Sequence, residues 1–338
     1  MSGVAIVSPG FPHRAGGVTD HTGRLVRHWG RDRRVVTLGP VTGHPDHLAL
    51  GWQAAGVSAL LLQYVPFLYG RRGLSTFPRR VCLAARARGI RVTTFVHEPW
   101  VPPTRLPWWI LSPLQRRQLR NLLAVSDAAV TPVPAWVGLL WNRPQVLAVG
   151  STLGDAPAEP AGPPLDAPVL FSPFASGLSW SWIASAVEAI GAHPPLIVLG
   201  ATRETARQHH AARRWQDSQW EWTGFLPPAD ALGLLARARL VLAPFEDGLT
   251  GRRTSALAAL SAGARLVSSR GHLFDPTLEG GPVQFADSRA DFARLAANTW
   301  GEPDDAVRRA ARLHWYRQHL DPRDLDDRLL TVVLGATP

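Results

Sequence analysis

The sequence predicts two α/β domains, each with a parallel sheet and helices packed on it. The chain has 338 residues, 46% of them hydrophobic, which is enough for two full cores. Short apolar runs that suit buried parallel strands alternate with helical patterns, first within residues 1–151 and again within residues 169–320. Residues 152–168 are rich in Pro, Ala and Gly without apolar periodicity, and they predict the linker between the domains.

The first domain begins with an apolar strand, followed by a helix with one apolar stripe. Five further strands and a helix follow in the same alternation. The predicted strands are Val4–Ser8, Arg34–Leu38, Ser58–Gln63, Arg91–Val96, Ala128–Thr131 and Gln145–Val149, and the second helix is Leu74–Arg88.

The second domain repeats this alternation. Its predicted strands are Val169–Ser172, Leu196–Leu199, Trp220–Thr223, Leu240–Pro244, Leu266–Ser268 and Val283–Phe285. Its predicted helices are Trp180–Gly191, Arg203–Arg214, Asp230–Arg237 and Thr250–Ala262, with later helices starting at Ala290, Asp304 and Asp324. Residues 321–338 form a final segment, and we expect the carboxylates from Asp321 to Asp327 to be a solvated helix start, not a metal cluster.

Composition narrows the classes of protein to consider. No apolar run is long enough to span a membrane, and no signal peptide is visible before Val4. The single cysteine, Cys82, lies in an apolar helical pattern, which favours a buried thiol and a cytoplasmic protein. The net charge is +10 and all 36 basic residues are arginine, which favours anionic ligands or surfaces, but no compact basic motif predicts a nucleic-acid partner.

The stretch from Leu240 to Ser269 carries the main functional signal. It has the pattern of a strand, a glycine-bearing loop, a helix ended by Gly263, and a second strand. A loop that opens onto a helix N-terminus offers unpaired backbone N–H groups to an anion. Arg252 and Arg253 fall at that end, where an anion between them would offset their repulsion from the helix dipole. An ordinary crossover with solvated arginines fits the pattern as well.

This stretch resembles the donor-binding loop of family-four retaining glycosyltransferases, in the branch where an Asp-Gly pair precedes two arginines and a serine. The matching parts are Pro244, Asp247-Gly248, Arg252-Arg253, Ser255 and Gly263. The resemblance implies the GT-B architecture, in which two Rossmann-like domains face a cleft and the C-terminal helix crosses back to the first domain. It also implies transfer of a sugar from a nucleoside-diphosphate sugar, with retention of configuration and without a metal or a bound cofactor.

The resemblance assigns site residues along the chain. Asp247 and His97, which follows the strand Arg91–Val96, are expected to orient the donor sugar. A purely structural His97-Glu98 pair remains the alternative. The predicted donor-binding residues are Gly16, Gly17, Gly224, Phe225, Leu226, Gly248, Leu249, Thr250, Arg252 and Arg253, and those on the acceptor side are His13, Glu98 and Trp100.

The chain departs from the family in three ways. The second acid of the donor loop is missing, because Ser255 or Ala258 stands at its place. The usual Arg/Lys clamp is absent from residues 171–182, and we expect Arg252 and Arg253 to take over the diphosphate. The chain is also short for the family. A degenerate protein that binds a partner or a glycan without transferring sugar is therefore the main alternative, and a binder of nucleic acid or an anionic surface is a further one.

The segment from Trp100 to Arg120 combines tryptophans with arginines and has no acidic residue. One interpretation is a peripheral contact with the inner membrane face or with a lipid-linked acceptor. The other, which we slightly favour from sequence, is a helix whose aromatics pack on the sheet with its arginines outward.

Overall fold

A computed structural model describes residues 3–13, 16–39, 43–104, 106–157, 159–172, 177–191, 196–208 and 219–336. The described chain divides into two compact units. The first comprises residues up to Val149 together with those from Pro322 onward, and the second runs from Gly150 to Asp321. Residues 150–168 thus belong to the second unit, where the amide of Leu165 donates to the carbonyl oxygen of Arg237 at 2.9 Å.

The first unit is a parallel six-stranded sheet with helices. Its strands are β1 (Gly3–Val7), β2 (Val35–Leu38), β3 (Val57–Tyr64), β4 (Arg91–Val96), β5 (Ala128–Thr131) and β6 (Gln145–Val146), in the order β2-β1-β3-β4-β5-β6. Its helices are α1 (Gly17–Trp29), α2 (Pro45–Ala54), α3 (Pro66–Tyr69), α4 (Phe77–Arg86), α5 (Leu106–Leu123) and α12 (Pro322–Leu334). The strand order reverses between β1 and β3.

The second unit is also a parallel six-stranded sheet. Its strands are β7 (Val169–Phe171), β8 (Ile197–Leu199), β9 (Glu221–Gly224), β10 (Val241–Ala243), β11 (Leu266–Ser269) and β12 (Val283–Ala286), in the order β12-β11-β10-β7-β8-β9. Its helices are α6 (Trp180–Ile190), α7 (Arg203–Gln208), α8 (Pro228–Arg237), α9 (Thr254–Ser261), α10 (Arg289–Gly301) and α11 (Ala306–Leu320). The order reverses between β7 and β10, where open α/β sheets bind ligands.

The α/β fold class predicted from sequence is confirmed. Most strands have nearly the predicted bounds, because the central ones, such as β1, β3, β8 and β10, are short apolar runs buried in the sheet, whereas β6 at one edge is exposed and ends at Val146. Gly263 follows α9 with a φ of 75°, the left-handed conformation that glycine adopts at a helix end, as predicted. Cys82 is buried as predicted, and burial raises the pKa of its thiol. The predicted helix Arg203–Arg214 is seen only as far as Gln208, because the rest lies outside the described residues.

Of the aspartates predicted to be solvated at the start of α12, Asp324 and Asp327 are exposed, but the prediction was wrong for Asp326. Asp326 is buried, and its carboxylate accepts from Arg24 Nε at 2.9 Å and from Arg24 Nη2 at 2.7 Å. Burial raises the pKa of Asp326, and the arginine opposes that rise. The side of α12 that carries Asp326 faces α1. On the same helix, Leu329 and Val333 join Val4 and Trp29 in one core.

No helix within the described parts of the chain is both long enough and apolar enough to cross a membrane.

Candidate functional site

The loop after β10 holds a cluster of one carboxylate and two guanidinium groups. Asp247 Oδ2 accepts from Arg252 Nη2, and Asp247 Oδ1 accepts from Arg253 Nη2. All three side chains are largely buried, with 17%, 17% and 15% of Asp247, Arg252 and Arg253 exposed. Their formal charges sum to one positive charge, which is costly to bury and favours an anionic ligand.

The helix that follows starts later than the sequence predicts. We expected α9 from Thr250, but it begins at Thr254, and Arg253 is its N-cap. The amide of Arg253 donates to the carbonyl oxygen of Thr250 at 3.0 Å, so a separate turn precedes the helix. The prediction that both arginines lie in the first helical turn was therefore wrong. The two side chains extend from this turn, and their guanidinium groups converge on Asp247.

Two neighbouring segments hold the loop in place. The amide of Glu246 donates to the carbonyl oxygen of Gly177 at 2.8 Å, and the amide of Ser179 donates to that of Pro244 at 2.8 Å. The Arg253 guanidinium also lies over the Phe245 ring, 4.4 Å from its centroid. Because Gly177 and Ser179 follow β7, the cluster lies at the carboxyl edge of the sheet, where the strand order reverses.

Gly248 adopts a φ of 94° and lies close to the loop after β11. A Cβ atom there would be 2.7 Å from the backbone nitrogen of Gly271, and one at Gly271 would be 2.4 Å from the carbonyl carbon of Asp247. Only glycine fits this approach of two backbones. The sequence pattern did not single out Gly271, and its position two residues after the buried strand β11 was the available signal.

The remaining predicted donor-binding residues of the second unit lie at the same sheet edge. Leu249 and Thr250 are fully buried, and the Thr250 hydroxyl has no hydrogen-bond partner among the described residues. Gly224 ends β9 with a φ of 68°, Leu226 is half-buried, and Phe225 is strongly exposed, with 79% of its surface accessible. Phe225 therefore exposes its aromatic ring at the carboxyl end of β9, the edge strand of this sheet.

The first unit places His97 in a buried polar cluster at its own carboxyl edge. His97 Nε2 lies 2.5 Å from Gln63 Oε1, at the end of β3, and its ring stacks on Phe95 at 4.4 Å. His21 of α1 approaches the His97 ring edge-on at 5.5 Å. Burial, with help from the charge of Arg24 and from His97, lowers the pKa of His21 well below the ordinary value, so its imidazole is neutral. Sequence analysis overlooked both Gln63 and His21.

The other predicted residues of the first unit are more open. Gly16 has a φ of 150° and precedes α1, which begins at Gly17, and both glycines are exposed. His13 and Glu98 are exposed, whereas Trp100 is half-buried under the Arg116 guanidinium, 4.6 Å from the ring centroid. Within the part of the chain that the structure describes, no three His, Cys, Asp or Glu side chains form a metal-binding group. Metal-free chemistry stays a prediction.

No protein-family model matches the chain, and no curated protein matches its sequence. Solved structures do match its fold. AviGT4, a glycosyltransferase involved in avilamycin A biosynthesis, is 16% identical with a TM-score of 0.62, and the match covers 100% of this chain and 99% of that one. WaaB, a lipopolysaccharide outer core galactosyltransferase, is 11% identical with a TM-score of 0.58, and the match covers both chains completely.

A third match is S. aureus MnaA, solved with UDP, which is 10% identical with a TM-score of 0.54, over 100% of this chain and 99% of that one. The two Rossmann-like units therefore have the GT-B fold, as the sequence predicted. At these identities the matches establish the fold, whereas activity has to be argued from the site.

Proposed function

We propose that the chain is a glycosyltransferase that moves a sugar from a nucleoside-diphosphate sugar to an acceptor, with retention of configuration. The observation that carries this proposal is the Asp247 cluster, in which two guanidinium groups share one carboxylate at the switch point of a Rossmann-like sheet. Guanidinium groups bind phosphate oxygens bidentately, so they suit a diphosphate. The matched structures named as transferases support the choice of sugar transfer.

The proposed chemistry centres on the charge of the leaving group. A departing nucleoside diphosphate accumulates negative charge, which preorganised arginines stabilise without a metal or another cofactor. The phosphates would take the guanidinium groups from Asp247, and the released carboxylate would then accept hydrogen bonds from sugar hydroxyls. His97 keeps its predicted role at the donor sugar. Front-face attack by the acceptor, which the family resemblance implies, requires no nucleophile from the protein.

The acceptor class is left open among a glycan, a lipid-linked molecule and a small molecule. Phe225, with its exposed ring beside the carboxyl end of β9, is proposed to lie against the nucleotide base. We retain a cytoplasmic location as part of this proposal.

The alternative is a GT-B protein that binds a partner or a glycan without turnover. It is favoured by the missing second acid, because Ala258 is fully buried within α9 and Ser255 is only partly exposed. Neither side chain can supply a carboxylate to the ribose hydroxyls.

The test is a thermal-shift panel with UDP, GDP, ADP, CDP and dTDP, each with and without magnesium, followed by a turnover assay with the matching nucleotide sugars. At a hundred times its dissociation constant, a ligand stabilises the fold by about 2.7 kcal/mol. We expect one nucleotide to raise the melting temperature without magnesium, and its sugar to be transferred or slowly hydrolysed. A shift without any turnover would favour the non-catalytic alternative, and no shift with any nucleotide would overturn the proposed donor site.

A further inference from the structure

Helix α5 exposes an apolar surface that the sequence led us to place against the sheet. Of its large apolar side chains, Leu106 is 83% exposed, Ile110 67% and Trp109 66%. Leu114 is also exposed, whereas Ser112, Gln115, Leu119 and Leu122 on the opposite face are buried. The preferred interpretation from sequence, in which the aromatics of this segment pack on the sheet, was therefore wrong for Trp109.

The exposed face changes chemistry along the axis of the helix. Residues 106, 110, 113, 117 and 120 follow one another at spacings of three and four, so they share a face. The first half of that face is apolar, through Leu106, Trp109, Ile110 and Leu114. The second half is basic, through the exposed residues Arg116, Arg117 and Arg120. At 1.5 Å per residue, the centres of the two halves lie about 12 Å apart.

The basic half opens onto a cavity of about 420 Å³. Its walls are Trp100, Arg116, Arg117, Arg120, Leu139 and Trp141. Arg116 lies over the Trp100 ring, and the Arg120 guanidinium lies 5.7 Å from the centroid of the Trp141 ring. No acidic side chain occurs in the sequence between Glu98 and Asp127, so nothing within this segment neutralises the arginines.

We propose that α5 and this cavity form a docking surface for an anionic lipid bilayer. The apolar half enters the boundary between headgroups and acyl chains, to a depth of about 5–10 Å. The arginines and the amphipathic tryptophans lie at headgroup level, where phosphate oxygens fill the cavity. Because apolar and basic residues succeed each other along one face, the helix is inclined, with Leu106 deeper than Arg120.

Charge and side-chain chemistry favour a bilayer over the other occupants. A second copy of this chain, with a net charge of +10, would have to bring its own arginines to the basic half. Nucleic acid would satisfy the arginines but would leave Leu106, Trp109, Ile110 and Leu114 against water. Anionic lipid satisfies both halves of the face at once.

The test is flotation of the full chain with vesicles of phosphatidylcholine, alone or with about one-third phosphatidylglycerol. We expect binding to the anionic vesicles and much weaker binding to the neutral ones. Trp109→Ser with Ile110→Ser should abolish flotation. Arg117→Gln with Arg120→Gln should weaken it about 25-fold, because each basic residue at an anionic surface contributes about fivefold. Both pairs are exposed, so the melting temperature should stay within a degree or two, about the effect of surface substitutions.

Matched controls lie elsewhere on the surface. Leu50→Ser with Val307→Ser removes two exposed apolar side chains, and Arg289→Gln with Arg317→Gln removes two exposed arginines. Neither control should change flotation by more than about twofold.

The inclination of α5 in the bilayer can be measured separately, from the depth of two labelled positions. Because the natural cysteine is buried, a cysteine introduced at position 110 or 121 can be labelled selectively with an environment-sensitive fluorophore. We expect the probe in Ile110→Cys to be quenched by bromine deep in the acyl chains, and the probe in Asn121→Cys by shallow quenchers only.

Several results would overturn the proposal. These are equal flotation of the Trp109/Ile110 variant and the natural chain, no flotation with anionic vesicles, or a dimer in light scattering that the same variant dissociates. Stronger binding of single-stranded nucleic acid than of vesicles, lost in the arginine variant alone, would also overturn it. Flotation needs no nucleotide, so its failure and the failure of the proposed transferase activity are distinguishable.

Discussion

Two arginine–aspartate clusters in this chain are similarly buried but differ in charge balance. In the first unit, Arg24 and Asp326 pair one to one, with 12% and 3% of their side chains exposed. In the second unit, Asp247 is shared by Arg252 and Arg253 at comparable exposure. The first pair also bonds to the backbone, through Arg24 Nη2 to the carbonyl oxygen of Val149 at 2.7 Å. A balanced pair tied to the backbone suits a structural role in the core, whereas a buried surplus of positive charge suits the anionic ligand that we propose for the second unit.

Breaking the Arg24–Asp326 pair should have the largest effect on the free energy of unfolding. Asp326→Ala leaves Arg24 buried without its counterion, so we expect the free energy of unfolding of the first unit to fall by about 3–5 kcal/mol. Denaturant unfolding, followed for each transition separately, measures the loss. Nucleotide affinity of the folded protein should not change. A loss below about 1 kcal/mol would contradict the structural role given to the pair.

The Asp247 cluster should show the reverse pattern, a large loss of nucleotide affinity and a smaller change in stability. Arg252→Gln with Arg253→Gln removes two charge-assisted contacts to the diphosphate, so we expect nucleotide affinity to fall about a hundredfold, or about 2.7 kcal/mol. Titration calorimetry measures it, with Arg289→Gln and Arg317→Gln as a variant of equal charge. The Gln amides can still donate to the Asp247 carboxylate, so we expect the free energy of unfolding of the second unit to fall by less than the loss of about 3–5 kcal/mol expected for Asp326→Ala. Unchanged affinity would refute the phosphate role of both arginines.

A pH effect separates the two units further. The folded-state pKa of His21 is lowered, so the unfolded chain takes up a proton near its ordinary pKa while the folded chain does not. This contribution to stability is present above about pH 6.5 and is lost as the pH falls below that value, so we expect the first unit to be less stable at pH 5.5 than at pH 7.5. Comparing unfolding of the natural chain with His21→Phe at pH 7.5 and 5.5 isolates it. An equal pH dependence in both would show that His21 is not the group responsible.

The smallest effect on nucleotide affinity should come from Asp247→Asn. The two guanidinium groups then lose the carboxylate that competes with phosphate, so we expect affinity for the nucleoside diphosphate to rise about threefold, while sugar transfer is lost. Calorimetry measures the affinity and a turnover assay measures sugar transfer, both on the same sample. A fall in affinity would instead show that the carboxylate positions the two arginines.

The fold was predictable from sequence because central strands such as β1, β8 and β10 are continuous apolar runs, a signal that burial on both faces of a parallel sheet produces. The loop after β10 was located from its glycines and its strand–loop–helix order, and its role in donor binding stays a proposal. The start of α9 was missed because Thr250 and Gly251 fit a helical start by composition, and only the backbone shows the extra turn. The pairing of Arg24 with Asp326 joins residues about three hundred positions apart, which no local pattern encodes. The orientation of α5 was misjudged because its apolar residues precede its arginines along one face, instead of occupying opposite faces.

The position of α12 has a consequence for synthesis. Residues 322–334 complete the core around Trp29 and Leu25, yet a ribosome makes them after the whole of the second unit. At about 5–20 residues per second, synthesis of residues 150–334 takes about 9–37 s, and the nascent first unit keeps that apolar face open for this time. The second unit is one unbroken stretch and can fold during this interval. Chain connectivity therefore allows the later-synthesised unit to finish first, whereas the earlier one stays without part of its core until its last helix is made.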